Sequence, residues 1–159
     1  DARLRLAGTG EVEPALREVA RAEGVADRVE FLGYVSDEQL RREYLSATVF
    51  CQPGTAELQS LVTLEALSAS RPVVLADALA LPHLVRQGVN GYLFTPQDPE
   101  DLAAKLRLVL EATPQERAAM GRAGRELVRQ HDVHRTWELF EALYRGEHPL
   151  PETAPDVAG

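Results

Sequence analysis

Pro53-Gly54-Thr55-Ala56-Glu57-Leu58-Gln59-Ser60-Leu61-Val62-Thr63-Leu64-Glu65-Ala66-Leu67 is the stretch whose reading decides the fold. Just before it, Val49-Phe50-Cys51-Gln52 reads as a short strand, ended by the Pro-Gly pair. A small polar loop follows. Ser60 to Ala69 then reads as a helix that is apolar on nearly every side, and such a helix is expected to be buried. Glu65 has Leu61 and Ala69 four positions away and Val62 and Ser68 three away, so no cation on its own helix pairs with it. A buried carboxylate without a partner is costly; a ligand hydroxyl would supply one. Glu57, in the loop, lies eight positions before Glu65.

Outward from this stretch, strands and helices alternate. Leu4 to Ala7, Val29 to Leu32, Pro72 to Ala76 and Gly91 to Phe94 are further strand candidates. Between them, Glu13 to Glu23 has helical periodicity through Leu16, Val19 and Ala20, stopped by Gly24. Ser36 is placed to cap a helix carrying Leu40, Tyr44 and Leu45. A short helical piece lies near Leu81 to Val85. Pro99 starts a helix with Leu102, Leu106, Val109 and Leu110 inward, Pro114 opens another running to Val128, and Val133 to Tyr144 forms an amphipathic helix. Trp137 and Phe140 are expected in the core. The alternation predicts an α/β fold, a doubly wound parallel sheet. Ligands in such sheets bind beyond the C-terminal strand ends, where Gly8-Thr9-Gly10, Gly33-Tyr34-Val35 and Pro53 to Ser60 would lie. Residues 1–146 read as one domain; residues 147–159, with three prolines and few large apolar groups, read as a disordered tail.

The bulk properties narrow the function. A chain of 159 residues suits one domain with an ordinary core. A formal charge of −8 argues against nonspecific nucleic-acid binding, but not against a phosphorylated ligand held locally at a helix start. Cys51 is the only cysteine, so no intrachain disulfide forms, which fits a reducing, cytoplasmic setting. No run of about 18 apolar residues is present. His83, His131, His134 and His148 show no metal-ligand spacing with other donors, so no metal site is expected. Ser60, His83 and Asp77 lack the surrounding motif of a hydrolytic triad. In Gly8-Thr9-Gly10 the position of a third fingerprint glycine is Glu13, so NAD binding is not expected.

Glu57, Leu61, Val62 and Leu64-Glu65-Ala66, followed by Pro72-Val73-Val74, Ala80-Leu81-Pro82, Val85, Gly88 and Asn90-Gly91-Tyr92-Leu93, resemble the Glu-x7-Glu signature and downstream strands of retaining glycosyltransferases with the GT-B fold. The likeness is closest to the large bacterial family 4 and covers roughly residues 3–145. It implies the C-terminal, Rossmann-like half of such an enzyme, lacking a first strand and helix and the N-terminal acceptor-binding domain. It also implies a nucleoside-diphosphate sugar as donor substrate, no tightly bound cofactor, and transfer of a hexose to a hydroxyl acceptor. By the same resemblance Glu57 is the catalytic-site acid that places the donor sugar. Backbone amides of Ser60, Leu61 and Val62 hold the diphosphate, and Glu65 takes the ribose hydroxyls. Gly33, Tyr34 and Val35 lie beside the nucleobase, and Gly8 and Gly10 wall the sugar pocket. The arginine and lysine that help the leaving group in family 4 come from a segment upstream of this sequence.

The sequence departs from the family where Leu58, Gln59 and Ser60 replace a glycine, an aromatic and a glycine. Ser70 replaces the usual glycine after the helix, at some cost in stability if the position is left-handed. The altered loop keeps a second reading open, a noncatalytic nucleotide-binding or scaffold domain of the same fold. A sugar-nucleotide epimerase is a further variant. A pyridoxal-phosphate phosphorylase is disfavoured because Lys105, the only lysine, sits in an ordinary amphipathic helix. The base, the sugar, the acceptor and any attachment to the inner face of a membrane are open at this level.

Overall fold

A computed structural model of the chain describes residues 2–147, and the tail expected to be disordered lies outside them from His148 onward. The chain divides into two compact units, Asp1–Ala47 and Thr48–Gly159. The fold class is α/β and Rossmann-like, with parallel sheets flanked by helices.

The first unit is built from strand β1 (Leu4–Ala7), helix α1 (Glu13–Ala22), a 3-10 turn (Ala26–Arg28), strand β2 (Val29–Gly33) and helix α2 (Asp37–Ser46). β1 and β2 pair in parallel with Leu4 opposite Val29 and Leu6 opposite Phe31, as a strand-helix-strand crossover requires. Pro14 stands in the first turn of α1, where its missing N–H costs nothing, and Gly24 follows the helix at φ 67°. The Ser36 hydroxyl accepts from the Gln39 amide at 3.3 Å and caps α2 as expected. Of the periodic apolar face of α1 only Ala20 is buried; Leu16 and Val19 remain exposed. The Arg17 guanidinium lies over the Phe31 ring, 4.3 Å from its centroid.

The second unit contains strand β3 (Phe50–Gln52), helix α3 (Leu61–Ser68), strand β4 (Val73–Ala76), a 3-10 turn (Leu81–Leu84) and strand β5 (Gly91–Phe94). Helices α4 (Pro99–Glu111) and α5 (Pro114–Val128), a 3-10 turn (Arg129–His131) and helix α6 (Val133–Tyr144) follow. Its sheet runs β3-β4-β5, all parallel. The central strand β4 carries Val73, Val74, Leu75 and Ala76, all fully buried. A continuous apolar run is what a parallel strand covered on both faces needs. Leu67 from α3, Leu81 from the 3-10 turn and Val109 from α4 complete this core. Asp98 caps α4 through the Glu100 and Asp101 amides, and Thr113 with Glu116 forms a reciprocal capping box at the start of α5.

Two packing expectations fail on the helices after β5. Leu110 is exposed while Val109 takes the inward place. Successive helical residues point about 100° apart, and Leu102, Leu106 and Val109 already define the stripe, leaving Leu110 at its edge. Trp137 and Phe140 are also outside the core, 57% and 56% exposed, and Ala142 is the buried residue of α6 among those described. The amphipathic face forms as its spacing predicts, but no described element covers it. Among the described residues no helix is long and apolar enough to cross a membrane.

Ser70 follows α3 at φ 57°, a left-handed conformation that favours glycine. For an L-residue with a Cβ this costs roughly 1–2 kcal/mol, partly offset by the lower unfolded-state entropy of serine relative to glycine. Ser70→Gly is therefore expected to raise stability by about 0.5–1 kcal/mol, measured by urea denaturation of the two forms.

Candidate functional site

The candidate residues fall into two sets, one in each compact unit. In the first, Gly8 follows β1 and Gly33 ends β2, at the same end of the parallel pair. The Gly8 amide donates to the Gly33 carbonyl at 2.8 Å, and both residues have positive φ, 128° and 63°. Those angles need glycine, so the two loops are joined through backbone that side chains would disturb. Gly10 leads into α1, its carbonyl accepting from the Glu13 amide at 3.2 Å. Tyr34 is 85% exposed and Val35 is half-buried beside it in the sequence.

In the second unit, the loop between β3 and α3 lies at the C-terminal end of β3, where the fold rule places ligands. Glu57 is half-buried, and its Oε1 accepts from the Gln52 side-chain amide at 3.2 Å. The Glu57 carbonyl accepts from the Ala80 amide at 3.3 Å, tying this loop to the loop after β4. Ser60 is the residue before α3 and is left-handed, φ 53° and ψ 64°. It is 3% exposed, and its hydroxyl does not cap the helix; it bonds instead to the Thr63 hydroxyl at 2.7 Å. That pair satisfies two buried polar groups at once. The Ser60 carbonyl accepts from the Thr63 and Leu64 amides. The amides of Leu61 and Val62 are then the first-turn donors left without an intrahelical acceptor, a local concentration of positive charge on which an anion can settle.

The burial expected for α3 is corrected. Thr63, Ala66 and Leu67 are buried, whereas Leu61, Val62, Glu65 and Ser68 line an exposed face, with Leu61 at 62%. Apolar composition led to the opposite expectation because two of the helix's apolar residues stand on its outer side, while a threonine turns inward to meet Ser60. Glu65 is accordingly a surface carboxylate rather than a buried one, and it is not without a partner. Glu57 and Glu65 thus bracket the Ser60-Leu61-Val62 turn, one in the loop before it and one on the outer face of the helix after it.

Gln52 is the residue of this site that sequence reasoning missed. The available signal was a polar side chain ending an apolar strand, five positions before Glu57. Cys51, next to it, is no nucleophile: burial pushes its thiol up to about 11, so it is neutral near pH 7. Among the described residues no three metal-type side chains gather, and Lys105 pairs with Asp101 one turn away on α4 at 3.5 Å.

Comparison with known proteins defines the class. The family model described as glycosyl transferases group 1 matches residues 1–127, and the chain belongs to that family. It is 35% identical over 152 residues to the D-inositol 3-phosphate glycosyltransferase of Mycolicibacterium smegmatis, covering 91% of this chain and 34% of that protein. It is 35% identical over 120 residues to the sulfoquinovosyl transferase SQD2 of Arabidopsis thaliana, covering 74% of this chain and 22% of the relative. The chain thus spans about a third or less of these relatives. Among solved structures, Anabaena HepE in complex with UDP superimposes with a TM-score of 0.79 at 26% identity, covering 91% of this chain and 41% of that one. The same protein in complex with UDP-glucose gives a TM-score of 0.79 at 28% identity, covering 90% and 41%.

Proposed function

We propose that this chain is the donor-binding part of a nucleotide-sugar-dependent glycosyltransferase of the retaining family 4 type, acting on a hydroxyl acceptor with a hexose donor. The observation that supports this most is the start of α3, where a buried left-handed Ser60 leaves the Leu61 and Val62 amides unclaimed between Glu57 and Glu65. In this reading those amides hold the diphosphate. As the bond between the anomeric carbon and the diphosphate oxygen breaks, negative charge grows on that oxygen, and fixed backbone dipoles stabilise it without having to reorganise. Glu65 accepts hydrogen bonds from the two ribose hydroxyls, and Glu57 from hydroxyls of the sugar. Their work is positioning; neither is assigned a covalent step. The acceptor hydroxyl forms the new bond to the anomeric carbon, and its proton passes to the departing diphosphate oxygen. Acceptor choice and further help to the leaving group are assigned to the domain that precedes this one in longer relatives.

The exposure of Glu65 sets the size of the expected effect. A surface carboxylate gains less from two hydrogen bonds than a buried one, about 2 kcal/mol in total. Titration of the full-length enzyme with UDP, GDP and ADP should show saturable binding of one of them, weakened roughly thirtyfold by Glu65→Ala. Failure of all three nucleotides to bind would discard this reading in favour of a noncatalytic domain of the same fold.

A further inference from the structure

We propose that Gln52 is a positioning residue for the donor sugar, acting through Glu57. Its amide sets the carboxylate by one oxygen and leaves the other to the sugar hydroxyls. This rests on the donor-binding reading above.

The geometry is a fork. Gln52 ends β3, and its Oε1 accepts from the Gly54 amide at 3.1 Å while its Nε2 donates to Glu57 Oε1 at 3.2 Å. The two bonds fix the side chain's orientation together. The Gly54 N–H can only meet an oxygen and the carboxylate can only meet a donor, so one amide rotamer serves both. The neighbouring glycine is closely fitted: a Cβ at Gly54 would lie 3.3 Å from Gln52 Oε1 and 3.7 Å from Glu57 Cγ. The Glu57 backbone is held separately, through its carbonyl and the Ala80 amide. Main chain and carboxylate are therefore anchored independently, and much of the rotamer freedom of the glutamate side chain is lost before a ligand arrives.

The choice of an amide has a chemical consequence. A lysine or arginine at position 52 would hold Glu57 as firmly but would neutralise it. The amide holds it and leaves it anionic. Glu57 Oε2 has no hydrogen-bond partner among the described residues, and Glu57 has no ion pair among them. An oriented, uncompensated carboxylate oxygen suits the recognition of neutral polyhydroxyl groups, whose O–H donors need an acceptor. It would repel a phosphate. The fork thus favours the sugar of a nucleotide sugar and contributes nothing to the diphosphate.

That division gives the test. The full-length enzyme and its variants Gln52→Met, Gln52→Glu and Gln52→Glu/Glu57→Gln are titrated with three pairs of probes: UDP and UDP-glucose, GDP and GDP-mannose, ADP and ADP-glucose. For the pair that the unsubstituted enzyme binds, Gln52→Met should keep nucleoside-diphosphate affinity within about twofold and weaken nucleotide-sugar affinity about tenfold. Gln52→Glu keeps the acceptor for Gly54 but faces Glu57 with a like charge, and should weaken nucleotide-sugar binding at least as much. The double variant restores an amide-carboxylate pair with its ends exchanged. It should recover the melting temperature lost in Gln52→Glu while nucleotide-sugar affinity stays low. Equal losses for diphosphate and sugar conjugate in Gln52→Met and Gln52→Glu would mean that Gln52 merely supports the loop, and would overturn the proposal. So would no change in either. Failure of the unsubstituted enzyme to bind any probe would instead remove the donor reading itself, and this proposal with it.

Discussion

Gly91→Ala is expected to destabilise the protein by about 3 kcal/mol, lowering the melting temperature by roughly 6–12 °C. Gly91 opens β5 opposite Val73 of the fully buried central strand. A Cβ at this position would lie 2.0 Å from the Val73 carbonyl oxygen and 2.8 Å from both its carbonyl carbon and a side-chain methyl. Two of these are backbone atoms of β4, which is held on its other side by β3. No rotamer change relieves that clash; one strand must move away from the other, lengthening ladder bonds and opening space beneath Leu75 and Phe94. Asn90 makes the strand entry still less forgiving. It is 1% exposed, its amide nitrogen donates to the Leu84 carbonyl at 2.9 Å, and its oxygen accepts from the Arg86 amide at 2.6 Å. The Asn-Gly pair that helps mark the family in sequence is thus a packing requirement of the sheet. Thermal melts of the two forms check this. A change of less than about 1 kcal/mol would mean that β5 can shift freely against β4.

How far the sequence carried depends on what kind of signal each feature leaves. The strands and helices were legible because their signals are local. Pro72 precedes the buried run Val73 to Ala76, Gly24 stops a periodic helix, and Ser36 stands where its hydroxyl caps one. The left-handed position of Ser70 was legible too, since the resemblance implies glycine at that place after the helix. Burial was harder. In α3, hydropathy cannot tell Leu61, on the open side, from Leu67, in the core; that depends on which face meets β3 and β4. Trp137 and Phe140 taught the same lesson on α6, where periodicity predicted a face correctly but could not say whether anything lies against it. The fork at Gln52 left almost no trace, because a hydrogen bond across five residues depends on the path of the loop between them.

Ser60→Val is expected to weaken nucleoside-diphosphate binding by at least about a hundredfold, the largest functional loss from a single change in this loop. Three effects act together. A β-branched residue at φ 53° is strained by roughly 1–3 kcal/mol, because its second branch crowds the backbone in the left-handed region. Loss of the hydroxyl leaves Thr63 Oγ1, on a fully buried residue, without its 2.7 Å partner, at about 1–3 kcal/mol. The added methyls must also fit a position only 3% exposed. The cheapest relief is for residue 60 to leave the left-handed region. That swings the peptide joining it to Leu61 and reorients the Leu61 and Val62 amides, removing two charge-assisted hydrogen bonds from the proposed diphosphate site. Ser60→Gly separates backbone from side chain. Glycine keeps the left-handed angle and relieves about 1–2 kcal/mol of strain, against the same roughly 1–3 kcal/mol for leaving Thr63 Oγ1 without its partner, so affinity should stay near that of the unsubstituted enzyme and stability should fall by no more than about 2 kcal/mol. Calorimetric titration of the three forms with the nucleotide that the enzyme binds, alongside their melting curves, decides the matter. Weak binding in the valine form alone ties the diphosphate to backbone shape at residue 60. Equal weakening in both would shift the role to the serine hydroxyl. Unchanged binding in both would take the start of α3 out of the site.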